Sequence, residues 1–250
     1  MEHIIILAIV NLLASTLSGA AGGGAGFVSG APLLIVLGLT PAQAVATTRF
    51  GGLGISAGAS SRFFRERITD KRSLVIFSVI GAVGSVIGSL ALLHLKSHAH
   101  ALQEFMGLLI LIVGIPSLYV RKVGLKPVQR PKWVQAVGYV LMFLATILVA
   151  AVATGIGSLQ TIMLIYFFGM TALVASATRR ILQLIIAVFS LIVYIPSGLI
   201  DYPLAITALL TSFIGGFLGA HIAIKKGDQF VLNLFALVSL LLALQLIFGK

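Results

Sequence analysis

The sequence predicts an all-α integral membrane protein made of two inverted-topology repeats, each with a glycine-broken re-entrant hairpin followed by transmembrane helices. Three observations predict this fold. The 250 residues are 59% hydrophobic and 9% charged, and the apolar runs repeatedly reach the roughly 20 residues that a membrane-spanning helix needs. The two halves of the chain match each other at a constant offset of 131 residues. Glycine clusters interrupt the apolar runs at equivalent places in both halves.

The internal repeat is the strongest of these observations. Residues 24–88 align without gaps on residues 155–219, with 14 identities in 65 positions. The identities include residue types that are seldom interchangeable: Gly24/Gly155, Gly26/Gly157, Gly38/Gly169, Thr40/Thr171, Thr47/Thr178, Arg49/Arg180, Asp70/Asp201, Gly84/Gly215 and Gly88/Gly219. We place the first repeat at 1–125 and the second, inverted, at 126–250. Duplicated bundles are common among transporters, which bind substrate where the repeats meet.

Each repeat contains five apolar segments. They lie near 3–20, 27–38, 41–61, 73–95 and 101–120 in the first repeat, and near 133–152, 158–169, 171–196, 203–223 and 230–249 in the second. The second segment of each repeat has only about 12 residues, or about 18 Å of helix, which is too short to cross the bilayer. It also follows a glycine cluster. We therefore predict that the first two segments form a re-entrant hairpin with its tip near the membrane midplane; the alternative is a kinked packing helix.

The basic residues predict the topology. The net charge of +11 resides mostly in loops between apolar runs, so it indicates membrane orientation rather than nucleic-acid binding. Twelve Lys and Arg residues fall on one predicted side and only Lys96 and Lys250 on the other. The rich side is expected to be cytoplasmic, in the cell (inner) membrane, with both termini outside. The N-terminal run lacks a basic n-region, so we expect a mature membrane helix there rather than a cleaved signal peptide.

Three arginines remain after the loops are counted. Arg49 and Arg180 are repeat mates, each eight residues into its helix, and Arg179 is adjacent. A charge at membrane depth is costly and usually functional, and the arginine fork suits oxyanions. No acidic residue is predicted mid-span. We hypothesise that an anionic substrate balances Arg49 and Arg180; alternatively, they snorkel to an interface or bind carbonyls of the broken helices.

Other candidates surround this pair. The short helices would direct their N-termini, which bind anions well, at the midplane. The candidate substrate-binding residues are therefore Gly24, Gly26, Ser29, Thr47, Arg49, Gly155, Gly157, Ser158, Thr178 and Arg180. Thr47 and Thr178 have an alternative role in helix packing. Asp70 and Asp201 precede apolar helices, which indicates N-capping, with proton coupling as the other possibility.

The remaining polar residues predict no further chemistry. Gly84 with Gly88, and Gly215 with Gly219, form small-xxx-small faces for close helix packing. The histidines near segment ends show no metal-ligand spacing, and the chain has no cysteine. We predict no metal, no cofactor and no enzymatic activity.

The ordered motifs resemble the TauE/SafE sulfite exporter family. They are GLTPAQAVATTR at 38–49 and ITD at 68–70, repeated as GMTALVASATRR at 169–180 and LID at 199–201. The resemblance covers nearly the whole chain. It implies a polytopic inner-membrane transporter that exports small sulfur-containing anions such as sulfite or organosulfonates.

The predicted function is therefore export of a small oxyanion, sulfite or a sulfonate, by alternating access around a midplane site. The expected partners are this anion and the lipid bilayer; coupling to protons stays open. The alternatives are an anion channel or a permease for another small anion, an intramembrane enzyme, and a membrane scaffold. Saturable counterflow would distinguish a transporter from a channel. A scaffold has no evident need for two arginines at the midplane.

Overall fold

The computed structural model describes residues 2–22, 34–35, 37–68, 71–95, 124–152 and 157–248. These residues form α-helices and loops without a strand, so the all-α prediction is confirmed for this part of the chain. The helices are α1 (Glu2–Ala21), α2 (Pro41–Arg65), α3 (Lys71–Leu95), α4 (Lys132–Val152), α5 (Gly157–Phe168), α6 (Ala172–Tyr194) and α7 (Tyr202–Phe248).

The helices follow the predicted segments closely, with one difference. The segments 203–223 and 230–249 are joined in α7, which is interrupted by non-helical backbone at Gly227 (φ 74°, ψ −173°). A φ of this sign is accessible to glycine without steric cost, so the turn between the two segments is made inside a continuous stretch. The predicted segment 101–120, and most of 27–38, lie outside the described residues.

Four described helical stretches are long and apolar enough to cross a membrane: Leu74–Leu95, Lys132–Val152, Ala172–Tyr194 and Tyr202–Leu234. Their outer faces carry large apolar side chains one helical turn apart. On α3, Val75, Val79 and Val83 are all exposed, which is the arrangement expected of a lipid-facing surface. By contrast α2 is rich in Gly, Ser and Thr, and 14 of its 25 residues are buried within the protein.

Equivalent caps begin α2 and α6. Thr40 accepts a hydrogen bond from the Gln43 amide (3.4 Å) and Thr171 from the Val174 amide (3.5 Å). Both threonines have extended backbone angles, as N-cap residues do. The chain reaches them through glycines with positive φ, 99° at Gly38 and 67° at Gly169. The sequence repeat is therefore also a repeat of local backbone structure.

Helix packing follows the same relationship. The repeat mates are α1 and α4, α2 and α6, and α3 and α7. Helix α1 packs on α7, and the equivalent pair is α4 on α3. Helix α2 also packs on α7, and the equivalent pair is α6 on α3. The mates α2 and α6 pack on each other. Each half of the chain is thus interleaved with the other, and α2 and α6 meet between them.

The small-residue faces explain how close the helices come. A Cβ atom on Gly88 would lie 2.8 Å from the Cβ of Ala150 in α4, and one on Gly219 would lie 2.8 Å from the amide nitrogen of Ala20 in α1. Such distances are shorter than van der Waals contact, so neither position accommodates a side chain without movement. The predicted packing role of these glycines is confirmed.

Candidate functional site

The mated arginines lie in the interior on the two central helices. Arg49 on α2 is 3% exposed and Arg180 on α6 is 2% exposed. The two helices pack against each other, and the alanines one turn before the arginines, Ala46 and Ala177, are both fully buried. Neither guanidinium reaches the outer surface of the bundle, so the snorkelling alternative does not describe them.

Each arginine binds the end of a helix from the other half of the chain. Arg49 donates through Nη2 to the main-chain oxygen of Val149 in the last turn of α4. Arg180 donates through Nη2 to the main-chain oxygen of Ser18 in the last turn of α1, and to Ser18 Oγ at 2.8 Å. The last four carbonyls of a helix lack intrahelical partners and carry partial negative charge. Carbonyl binding, the other alternative, is therefore part of what these residues do.

Arg179 makes a contact of the same kind without a repeat mate. Its Nη1 donates to the main-chain oxygen of Gly22 at 2.8 Å, and Thr161 Oγ1 donates to the same oxygen at 2.8 Å. Gly22 follows α1 and has a φ of 73°. The residue of the first repeat that is equivalent to Arg179 is Thr48. The arrangement around Gly22 is thus specific to one half of the site.

The acidic side chains that the structure describes are bound elsewhere. Glu66 pairs with Arg62 at 2.7 Å on the surface, and Asp228 accepts from the Leu173 amide at 2.7 Å. Within the described ranges, therefore, no carboxylate balances the interior arginines. Their Nε atoms are also buried without a hydrogen-bond partner among the described residues.

The electrostatic balance of this cluster is positive. Three guanidinium groups contribute three positive charges, whereas the C-termini of α1 and α4 each contribute about −0.5. Among the described residues, the arginine cluster (Arg49, Arg179 and Arg180) thus keeps a net charge of about +2 in a low-dielectric interior after these two C-termini are counted. Charge of this size away from water is costly unless an anion balances it.

The threonines differ in their contacts. Thr47 Oγ1 accepts from the main-chain amide of Asp201 at 3.0 Å, so it fixes the loop before α7. Asp201 in turn accepts from the Leu204 amide at 3.0 Å, which is N-cap geometry. Thr178 is fully buried, and its hydroxyl finds no partner within the described ranges. Thr178 is therefore the more available of the two for a ligand.

The structure brings together only part of the predicted site. Thr47, Arg49, Thr178, Arg180 and Gly157 are placed in the interior. Ser158 is in the first turn of α5, with its side chain outside the description. Other predicted site residues lie outside the described residues: Gly24, Gly26, Ser29, Gly155 and Asp70.

Sequence reasoning missed the residues that hold the arginines. Ser18 and Val149 are themselves 131 positions apart, so the repeat offset, extended towards the N-terminus, relates them. Their residue types differ because the carbonyl, not the side chain, is the acceptor they share. Gly22 and Thr161 had no comparable signal. Among the described residues, no group of three or more His, Asp or Glu side chains lies close enough together to hold a metal ion.

Comparison with known proteins places the chain among membrane transporters. The model of the family described as Sulfite exporter TauE/SafE matches residues 7–246. The probable membrane transporter protein YfcA of Escherichia coli strain K12 is 22% identical over 98% of this chain and 90% of its own. A probable membrane transporter protein of Haemophilus influenzae is 22% identical over 100% and 96%, and YjnA of Bacillus subtilis is 28% identical over 92% and 96%. No solved structure matches.

Proposed function

Since this chain belongs to the TauE/SafE sulfite exporter family of membrane transporters, we propose that it exports a small sulfur-containing oxyanion, either sulfite or an organosulfonate. Four long apolar helices and the transporter relatives agree with a protein that acts within a membrane. The observation that carries the choice of an anion is the arginine cluster, which retains a net positive charge of about +2 after the helix ends are counted. A doubly charged oxyanion balances that charge.

The site that we propose lies where α2 meets α6. It comprises Thr47, Arg49, Thr178 and Arg180, together with the tips of the two re-entrant hairpins. The hairpin residues in this proposal are Gly24, Gly26, Ser29, Gly155, Gly157 and Ser158. Arginine suits this task because its planar donors bind oxyanions in pairs and it stays protonated at every physiological pH.

The mechanism that we propose is alternating access. Each repeat is interleaved with its mate through equivalent helix pairs, α1 with α7 and α4 with α3. Two inverted repeats packed in this way exchange an outward-open for an inward-open arrangement when one rocks against the other. The hydrogen bonds from Arg49 to Val149 and from Arg180 to Ser18 join the two halves at the site. Rocking and substrate binding are coupled through them.

The direction that we propose is outward, across the cell membrane, with the basic loops in the cytoplasm and both termini outside. A cell-negative potential favours the exit of an anion by about 2.3 kcal/mol per charge per 100 mV. Export of a singly or doubly charged oxyanion therefore needs no other energy source. The alternative functions are an anion channel or a permease for another small anion.

Flux measurements on proteoliposomes test this function. We expect saturable uptake of labelled sulfite by the wild type, competition by methanesulfonate, and loss of both in Arg49→Ala and Arg180→Ala. Arg65→Ala removes an exposed arginine from the end of α2 and is expected to retain full flux. Wild-type protein that is folded and inserted but moves neither labelled sulfite nor labelled methanesulfonate would contradict the proposal. Flux without counterflow would identify a channel.

A further inference from the structure

We propose that Arg179 and the first turn of α5 form the direct oxyanion-binding site, and that Arg49 and Arg180 chiefly hold helix ends. This inference rests on the proposed anion transport and revises the roles within the proposed site: Arg179 makes the direct contact with the anion, while Arg49 and Arg180 contribute structure and positive potential. Symmetry in the sequence favours Arg49 and Arg180. Arg179 also donates to a carbonyl, that of Gly22, but of the three it is the arginine that lies against Gly157 at the start of α5.

Each of the three arginines donates a hydrogen bond to a main-chain carbonyl. Arg49 and Arg180 each donate to a carbonyl in the last turn of a helix, where a positive charge is favourable. Arg180 has the hydroxyl of Ser18 in addition, at 2.8 Å. Arg179 is also bound to a carbonyl, since its Nη1 donates to Gly22 at 2.8 Å, so the feature particular to Arg179 is the position of its Nη2 against Gly157.

The Arg179 guanidinium lies against the start of α5. It is packed so closely on Gly157, the first residue of α5, that any side chain at that position would overlap its Nη2. The start of a helix carries unpaired N–H groups and partial positive charge. A guanidinium placed against it is the reverse of the stabilising arrangement at a helix C-terminus. Two positive groups in contact favour an anion that binds to both.

Polar atoms near this contact have no hydrogen-bond partner among the described residues. Arg179 is 6% exposed, and its Nε has no partner among the described residues. Ser176, one turn before Arg179 on α6, is fully buried, and its Oγ is likewise unpartnered among the described residues. Its side chain packs against Gly22, whose carbonyl Arg179 binds. The Arg179 Nε–H and the Ser176 hydroxyl are thus two hydrogen-bond donors without a partner among the described residues, as an oxyanion site requires. The residues of the first repeat equivalent to Ser176 and Arg179 are Val45 and Thr48, so the first repeat lacks these donors in the same pattern.

The positive charges of the neighbouring arginines also favour an anion at Arg179. Arg179 is within electrostatic range of Arg49 and of Arg180. The two helix-bound arginines thus raise the positive potential at Arg179 without contacting the ligand themselves. The result is an asymmetric site in a chain whose framework is duplicated.

Oxyanion binding to the purified full-length protein in detergent tests the inference. Thermal unfolding is followed against sodium sulfite, sulfate and methanesulfonate, with sodium chloride at matched ionic strength. A bound anion raises the unfolding temperature with a concentration dependence that gives its dissociation constant. We expect Arg179→Gln to weaken that constant by about tenfold or more, because a charge-assisted contact is lost. Arg65→Gln, the matched surface control, is expected to bind as the wild type does.

A second variant keeps the test decisive if Arg179→Gln does not fold. Gly157→Ala adds one methyl group where the guanidinium lies, and the side chain can swing aside without unfolding the helix. We expect weakened oxyanion binding, whereas Gly52→Ala, on a helical glycine with open space around it, binds normally.

The outcomes separate the two proposals. An Arg179-dependent oxyanion shift without flux of labelled sulfite or labelled methanesulfonate in liposomes would overturn the transport function and support this site. Sulfite flux with unchanged oxyanion affinity in both folded variants, or no oxyanion shift in the folded wild type, would overturn the site.

Discussion

Arg180 donates a hydrogen bond to the main-chain oxygen of Ser18, 162 residues earlier in the chain, and a second one to its hydroxyl at 2.8 Å. The contact ties α6 to the last turn of α1. Its mate, from Arg49 to Val149, ties α2 to the last turn of α4. Both donors and both acceptors are 131 positions apart, so the duplicated sequence encodes a duplicated tertiary contact.

The hydrogen bond between the side chains of Arg180 and Ser18 predicts an energetic coupling between these two residues that Arg49 and Val149 lack. The second acceptor of Arg180 is a serine hydroxyl, but Val149 has none. In a double-mutant cycle of Arg180→Gln with Ser18→Ala, we expect a coupling of about 1.5–3 kcal/mol in the free energy of unfolding, the usual contribution of a hydrogen bond to a charged group. Denaturant unfolding in detergent measures it. The matched cycle of Arg49→Gln with Ser18→Ala is expected to show less than about 0.5 kcal/mol. Equal couplings would contradict the contact.

The close helix contacts predict that two equivalent glycines respond alike. Alanine at Gly88 would lie 2.8 Å from the Cβ of Ala150, and alanine at Gly219 would lie 2.8 Å from the Ala20 amide. Overpacking of this kind costs about 1–3 kcal/mol, so Gly88→Ala and Gly219→Ala are each expected to lower the unfolding temperature.

Gly52 on α2 provides the control for this prediction. It is helical and has no atom within 4 Å of a Cβ built on it. Gly52→Ala gains helix propensity and is expected to be neutral or stabilising by up to about 1 kcal/mol. A destabilisation equal to that of Gly88→Ala would show that alanine in these helices is costly for reasons other than packing.

The two roles considered for Asp201 predict different results for one conservative change. Asp201 Oδ1 accepts from the Leu204 amide at 3.0 Å. Asparagine caps about as well as aspartate, whereas alanine loses about 0.5–2 kcal/mol. We expect Asp201→Asn to keep stability and flux and Asp201→Ala to lose stability alone. Flux measured with and without a pH gradient checks this. Loss of gradient dependence in stable Asp201→Asn would instead assign the carboxylate to proton coupling.

The sequence predicted the framework better than the site. Apolar runs and glycine breaks located the described helices because bilayer thickness and helix geometry constrain both. The repeat identified Arg49 and Arg180, because their residue type is costly to bury in either half. It did not identify Gly22 or Ser18, whose carbonyls are the acceptors, since every residue has a carbonyl. The repeat also gave no reason to prefer Arg179 over Arg49 and Arg180, because the residue equivalent to Arg179 is a threonine, Thr48. The feature that distinguishes Arg179 is its tertiary contact with Gly157.

We predict that the two repeats are inverted, which places equivalent turns on opposite sides of the membrane. Arg65 ends α2 and its mate Pro196 follows α6, and both are exposed. Two residues later, Arg67 and Gly198 share a left-handed backbone, with φ of 53° and 69°. The two turns are therefore the same local structure.

Cysteine labelling in intact cells tests this topology, because the chain contains no cysteine of its own and the wild type is a blank. With a membrane-impermeant maleimide, we expect Pro196→Cys to react from outside and Arg65→Cys to react only after permeabilisation, since the basic loops favour the cytoplasm. Labelling of both from the same side would exclude inverted repeats. Reversed sides would keep the inversion but place the basic loops outside. Alternating access about a shared site requires that the two positions be labelled from opposite sides, whichever side each one is on. In both of those outcomes the two repeats face opposite sides of the membrane.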